Sequence, residues 1–486
     1  MNDNNKAKKS TMPGLKKQKA KKLKKKEKLQ KFLDEQMQNT WFDAKCGVHL
    51  VRKGDVIVPD RGYLKAIKHP MCKLTNNKGH MAEVISQLDA QIKYEKSIQY
   101  HGAIAGQSTG KLARCGGSDW LVTSSPELIK PVKGEFPLIK RLIETMLPDE
   151  APKLALHAWL KTQLNAITSG THSKCPMLIL AGDTADGKSL LMLLATILRG
   201  GRATNPIAAW SGSGPAWNDH ILGAECLNID DSLTAKDYAS REALGTNFKE
   251  SCFADEVTID KRNHSSFNTK PRPVWGVMMA VNANGRAIRV VPAIDEEGMK
   301  DKVIILRTHK ADIYLRGEGD TANKKRLDAY KAELPAFAYW LQEEFCIPAE
   351  SELPSGCVPE RSGGVTYRDQ EAMQMLHDES PAGQLEDLLI EVFIDDKYEA
   401  SSGDIYKGIW TQPHKASKIR EAILEKDQYR YGETRLPKTT QMMGIYMKQI
   451  AEREGSCVEA AGKDRNGTSL WKIMPLECED SDGVAA

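Results

Sequence analysis

Eight residues carry the densest chemical signal in the chain. Gly182, Asp183, Thr184, Ala185, Asp186, Gly187, Lys188 and Ser189 spell GDTADGKS, a G-x4-G-K-S pattern. The two glycines let the backbone curl until its N–H groups point inward at a shared anion. The spacing puts the Lys188 ammonium within reach of the β and γ oxygens of a nucleoside triphosphate. It puts the Ser189 hydroxyl where it ligates magnesium. The apolar run MLILA precedes the loop and KSLLMLLATIL continues from it. Strand, loop, helix is the context the motif requires, because the helix N-terminus adds positive potential at the phosphates. The expected ligands are ATP and Mg2+. A plain Gly-rich turn is the bland alternative, and the flanking elements argue against it. GQSTGK, from Gly106 to Lys111, is one residue short of the pattern and lacks a comparable strand before it. It reads as a surface turn.

Further along, ECLNIDDS ends an apolar strand in Asp230 and Asp231. Two carboxylates there fall at the edge of an open α/β sheet where ligands bind. Asp230 is assigned with Ser189 to the metal, and Asp231 to the base that activates water, with the reverse order open. A helix N-cap is the alternative use of such acids. Asn282 closes the run GVMMAV and is a candidate to orient the attacking water. Lys261, Arg262 and His264 form a cationic hairpin tip, suited to gripping phosphates of a single strand or simply to facing solvent. Cys46, His49, His69 and Cys72 make a C-x2-H … H-x2-C arrangement. Four such ligands suit one tetrahedral zinc, and core packing is the other use of these residue types.

The elements that must position these groups alternate in type. Short apolar runs at 177–181, 226–229, 274–281 and 303–306 are separated by helical stretches. This pattern gives an α/β fold with a largely parallel sheet covered on both faces. The expected architecture is a P-loop, AAA+-like ATPase core over 133–346. A small β-rich α+β domain precedes it at 39–132. A Pro-, Ser- and Gly-rich linker at 347–369 leads to a winged-helix-like domain at 370–476, built from three helices and a closing strand. Residues 1–38 and 477–486 are expected to be disordered tails.

Composition sets the surroundings. Residues 1–35 carry thirteen lysines against Asp3, Glu27, Asp34 and Glu35, in a chain whose formal net charge is only +4. A cationic tail on a slightly acidic body attracts polyanions without sequence preference, or serves solubility or localisation. Ten cysteines in 486 residues are too sparse for a disulfide framework and read as reduced thiols. No apolar run is long enough to span a bilayer and the start is basic and polar, so a cytoplasmic protein without a membrane partner is expected.

VTIDKRNHSSFNTKPRPVWGVMMAVN, Val257 to Asn282, resembles the segment of superfamily 3 helicases between their second carboxylate motif and their sensor asparagine. The matching parts are Lys261, Arg262 and His264 at the tip, Lys270-Pro271 on the return, and Asn282 after the strand. Phage, satellite and poxvirus-type primase-helicases share this order of motifs. The resemblance implies a ring, a hexamer by family habit, that translocates 3′ to 5′ on single-stranded or forked DNA. It also implies replication partners such as a primase, a polymerase or an origin-binding protein. One departure stands out. The family places an arginine before the last core strand as a finger into the neighbour's ATP, and here MKDKVIILR has Lys302. Lysine supplies charge without a planar fork. Arg286, Arg289 and Arg307 are the other candidates. Rival readings are a nucleotide-switched DNA-binding initiator that does not unwind, a packaging or remodelling motor, and a primase-helicase with a cryptic primase. The segment before the ATPase is short for a primase domain.

Overall fold

The computed structural model describes residues 12–75, 78–212, 217–230, 238–261, 266–283, 291–292, 298–299, 301–315, 319–378, 380–394, 412–425, 435–453 and 455–474. Where disorder was expected, its first element is a helix from residue 12 onward: α1 (Met12–Asn39) is 28 residues long. Lys, Leu, Gln and Glu are strong helix formers. Leu29, Phe32, Leu33 and Met37 recur at helical spacing and pack against a cluster that includes Tyr63, Ile67, Met71 and Leu88. The lysine-rich segment therefore has an apolar stripe with a partner, which is what turns local propensity into a stable helix.

Strands β1 (Thr40–Asp43), β2 (Val48–Lys53) and β3 (Val56–Asp60) form an antiparallel meander. Helices α2 (Tyr63–Ala66), α3 (Lys68–Leu74) and α4 (Lys78–Glu95) follow, and β4 (Ser97–Ile98) returns parallel to β1. Strands β5 (Tyr100–Gly102), β6 (Leu112–Cys115) and β7 (Ser118–Val122) start a second sheet. Packing does not stop at residue 132. Ile104, Ala105, Ala113, Cys115, Trp120 and Val122 share one core with the central sheet. The turn reaches the surface at Ser108 and Lys111 but is buried at Gly106. Its N–H donates to Glu225 Oε1 at 3.0 Å, and Gln107 beside it is buried. Gly106 has φ +73°, and a Cβ there would stand 2.5 Å from the Val274 side chain. Only glycine fits that close approach.

Two helices, α5 (Pro137–Met146) and α6 (Glu150–Ser169), lead into the central sheet. There follow β8 (Met177–Gly182), α7 (Lys188–Leu198), β9 (Ala203–Thr204), α8 (Ile207–Trp210), β10 (Cys226–Asp230) and α9 (Tyr238–Phe253). A hairpin, β11 (Thr258–Ile259) and β12 (Phe267–Lys270), precedes β13 (Gly276–Asn282), β14 (Val303–Thr308) and α10 (Asp320–Tyr339). The sheet order is β14-β8-β13-β10-β9, and every neighbouring pair is parallel. Side-chain alternation along β8 divides the interior. Met177, Ile179 and Ala181 face a core with Leu244 and Phe248 of α9. Leu178 and Leu180 face a second core with α5, α6, α7 and α10. Burial on both faces explains why MLILA is apolar throughout rather than alternating.

The stretch expected to be a linker is built into the sheet's flank. Strands β15 (Cys357–Pro359) and β16 (Val365–Tyr367) form a hairpin. Arg368 bridges Ile305 in parallel, and the Asp369 N–H donates to the Ile305 carbonyl at 3.0 Å. β14 is an edge strand, and this segment caps groups that would otherwise be unpaired. Next come α11 (Gln370–Asp378), α12 (Pro381–Phe393), β17 (His414–Lys415), α13 (Ala416–Glu425), α14 (Thr440–Ala451), β18 (Val458–Lys463) and β19 (Ser469–Ile473). Ser380 caps α12 by accepting from the Gly383 N–H, and Thr439 caps α14 through the Met442 N–H. The last three helices and the sheet β17-β19-β18 close around their own core, with Leu385, Ile419, Met443 and Trp471. Among the described residues no helix is long and apolar enough to cross a membrane.

Candidate functional site

Strand register gathers the site at one edge. Gly182 at the end of β8 lies level with Asn282 of β13 and Thr308 of β14. Asp230 is level with Ala280, two residues before Asn282. The expected phosphate loop leaves β8 at this carboxyl edge and enters α7. Gly187 has φ +109° and Ala185 has φ +63°. A left-handed alanine is strained, and such strain collects at binding loops. At Gly182 a Cβ would stand 2.1 Å from Thr308 Oγ1 and 2.2 Å from Asp186 Oδ2. The first glycine of the motif is therefore required by the crowding of its neighbours as well as by the curl.

Lys188 is 7% exposed and its ammonium turns back into the loop. It donates to Gly182 O at 3.0 Å, Asp183 O at 2.6 Å and Asp186 Oδ1 at 3.0 Å. Asp186 is 2% exposed. Its other carboxylate oxygen accepts from Thr308 Oγ1, and its carbonyl accepts from the Ala311 N–H at 3.0 Å. A buried ion pair of this kind is costly to break from one side, because the charge left behind is desolvated. Ser189 Oγ donates to Asp230 Oδ2 at 3.3 Å, joining residues 41 positions apart. These hard oxygen donors suit a magnesium ion. A cleft of about 490 Å3 is lined by the loop from Thr184 to Leu190, by Asp230 and Asn282, and by Arg326 of α10. Asp231 lies outside the described residues.

Arg326 was missed by sequence reasoning. Its guanidinium donates to Leu315 O at 3.2 Å and to Asn323. In the sequence it is the last cation of NKKR, and only the packing of α10 against α7 selects it. A guanidinium in that place can meet the charge of an anion in the cleft.

Lys302, the finger candidate, is held by contacts within its own chain. It precedes β14 at the amino edge, opposite the loop, and its Nζ sits 2.6 Å from Asp301 and 5.3 Å from the Phe253 ring centre. An acid and an aromatic ring already hold it. Arg307 pairs with Glu371, and Arg286 and Arg289 lie outside the described residues.

The hairpin departs from a free projection. β12 pairs with β6, Thr269 opposite Cys115, so its return strand extends the sheet β11-β12-β6-β7-β5. Lys261 lies 5.4 Å above the Trp120 ring. Arg262 and His264 lie outside the described residues.

The four zinc candidates are not gathered as one ligand set. Cys46 is exposed in the turn after β1, and Asp43, first by accepting its hydrogen bond, holds its thiol above the usual range. His49 lies on β2, 2.8 Å from Asp89 and between Phe42 and Tyr63. Burial pulls its pKa down while Asp89 opposes. Cys72 meets the Met81 sulfur at 3.2 Å. Among the described residues no three His, Cys, Asp or Glu side chains are grouped to hold a metal ion. The C-x2-H spacing spans a turn and a strand, which separates the two donors.

No protein-family profile matches the chain, and no curated protein matches it. Solved structures do resemble it. The C-terminal region of NrS-1 is 12% identical, with a TM-score of 0.48, over 90% of this chain and 96% of that one. A second structure of that region gives 12% identity and a TM-score of 0.46, over 90% and 95%. A structure described as "SCCmec type IV Cch - active helicase" is 11% identical with a TM-score of 0.39, over 90% and 92%. Likeness at this level leaves the assignment of the site to its own geometry.

Proposed function

We propose that the chain is an ATP- and magnesium-dependent DNA helicase that works as a ring, a hexamer, in replicating a phage or other mobile element. The observation that carries this reading is the meeting of Ser189 and Asp230 beside a glycine-curled loop at the carboxyl edge of a parallel sheet. Magnesium, when bound, would neutralise phosphate charge. Ser189 and Asp230 would hold it. Lys188 leaves its three loop acceptors to reach the β and γ oxygens, and Arg326 meets the phosphate charge from the opposite wall. Asn282 orients the attacking water, and Asp231 accepts its proton.

Hydrolysis then has to move a polynucleotide. Lys261, Arg262 and His264 are the proposed grip on single-stranded DNA, 3′ to 5′ by family resemblance. The three-helix unit with its β18–β19 hairpin supports a winged-helix reading, and with the basic α1 it would add contacts to duplex DNA. The test is strand displacement on a forked substrate with ATP. Wild type should unwind, and DNA should stimulate its phosphate release. Replacing Lys261, Arg262 and His264 together by alanine should stop unwinding while basal hydrolysis continues. Normal unwinding by that variant would refute the grip. Hydrolysis that never responds to DNA would favour a remodelling motor.

A further inference from the structure

Away from the loop, a cavity of about 510 Å3 lies where the β15–β16 hairpin and α11 meet the end of α14. That volume falls within the roughly 300–1,000 Å3 typical of small-molecule sites. Arg368 and Arg453 line it, with Gln370, Gln449, Tyr367 and Met373. Among the described residues, Glu452 is the only carboxylate in the lining. Arg453 Nη1 is buried without a hydrogen bond and forms an ion pair with Glu386 at 3.5 Å. Glu386 is already engaged, accepting from the Cys457 N–H at 3.1 Å and facing His377 Nε2 at 2.8 Å. Arg368 is fixed through its backbone to the edge of β14.

Two guanidinium groups from separate elements line the cavity, and a phosphate, with several accepting oxygens, can take hydrogen bonds from both. The tyrosine ring and Met373 offer an apolar wall. The glutamine amides each offer a donor and an acceptor. Phosphate, flat ring and amide-readable edge are the parts of a nucleotide. We propose that this cavity is a second nucleotide-binding site, separate from the loop, that takes one phosphate-bearing nucleotide, either free or as a unit of a single strand. Its place matters. The same hairpin is joined to β14, whose last residue, Thr308, bonds Asp186 of the loop. The cavity and the phosphate loop therefore share β14 as a common support.

The experiment uses the full chain carrying Lys188→Ala, so that the first site is silenced whatever its true ligand. A fluorescent nucleoside monophosphate and a fluorescent oligothymidine are titrated separately. At least one should bind saturably. Arg368→Ala should weaken that binding by roughly tenfold or more. Gln449→Ala should weaken it less, with the thermal midpoint unchanged in both. Arg361→Ala, an exposed arginine of the β15–β16 turn, should change nothing. Monophosphate binding identifies a free nucleotide. Arg368-dependent oligonucleotide binding that excess monophosphate leaves intact identifies a strand. Absence of saturable binding by either probe overturns the proposal. So does an Arg368→Ala variant that binds both as tightly as its parent.

Discussion

The two ends of one parallel sheet are put to different uses. At the carboxyl edge, Lys188, Ser189, Asp230 and Asn282 converge on an open cleft. At the amino edge the polar groups are spent on the protein itself. Lys302 is held by Asp301 and Phe253. His172 faces two carbonyls, its Nδ1 3.1 Å from Pro273 O and its Nε2 3.0 Å from Cys252 O. Cys175 and Cys252 are buried, which pushes both thiols up to about 12. Strand direction is the cause. Parallel strands present all their carboxyl ends together, and the following loops and helix N-termini point their N–H groups outward there.

The largest test of this contrast is Lys188→Ala. Phosphate release should fall on the order of 100-fold or more, and undiminished turnover would move the chemistry elsewhere. Asp186→Asn sharpens the same edge. Removing the buried acid frees Lys188 for the phosphates, so a fluorescent ATP analogue should bind about tenfold tighter. Weaker binding would mean that Asp186 supports the ligand rather than competing with it. His172 probes the other edge through pH. Burial, then Arg272, pulls its pKa down to about 4 from 6.5, outweighing the two carbonyls that favour the charged ring. The folded state thus binds this proton less readily than the unfolded chain. Its share of stability is whole above pH 6.5 and declines as pH falls toward about 4. Thermal midpoints of a His172→Asn variant should fall less steeply across that window than those of wild type. Lys302→Ala should have the smallest effect, changing turnover by less than about twofold, whereas a finger acting in a neighbour's site would lose about 1,000-fold.

Much of the carboxyl edge was legible in the sequence. A doubly buried strand, glycine spacing and a carboxylate after the next strand are local signals, and Ser189 and Asp230 do meet. The place of Lys302 was legible too. In a parallel sheet a residue just before a strand lies opposite a loop that follows one. Arg326 was not legible, because α10 reaches the cleft only through tertiary packing. Net charge hid the helix in the lysine-rich segment. Its stripe of Leu29, Phe32, Leu33 and Met37 was present in the sequence but needed its partner cluster to count. The Pro- and Gly-rich stretch at 347–369 has a linker's composition. What fixes it is an unfilled strand edge that composition does not record.

The pairing of β6 with β12 has a consequence for synthesis. Cys115 leaves the ribosome about 150 residues before Thr269, the residue it must face, and such distant contacts form slowly. Until then one side of β6 is an open hydrogen-bonding rail on a nascent chain. Chaperone binding to stalled intermediates should peak before the hairpin emerges and drop once it has docked.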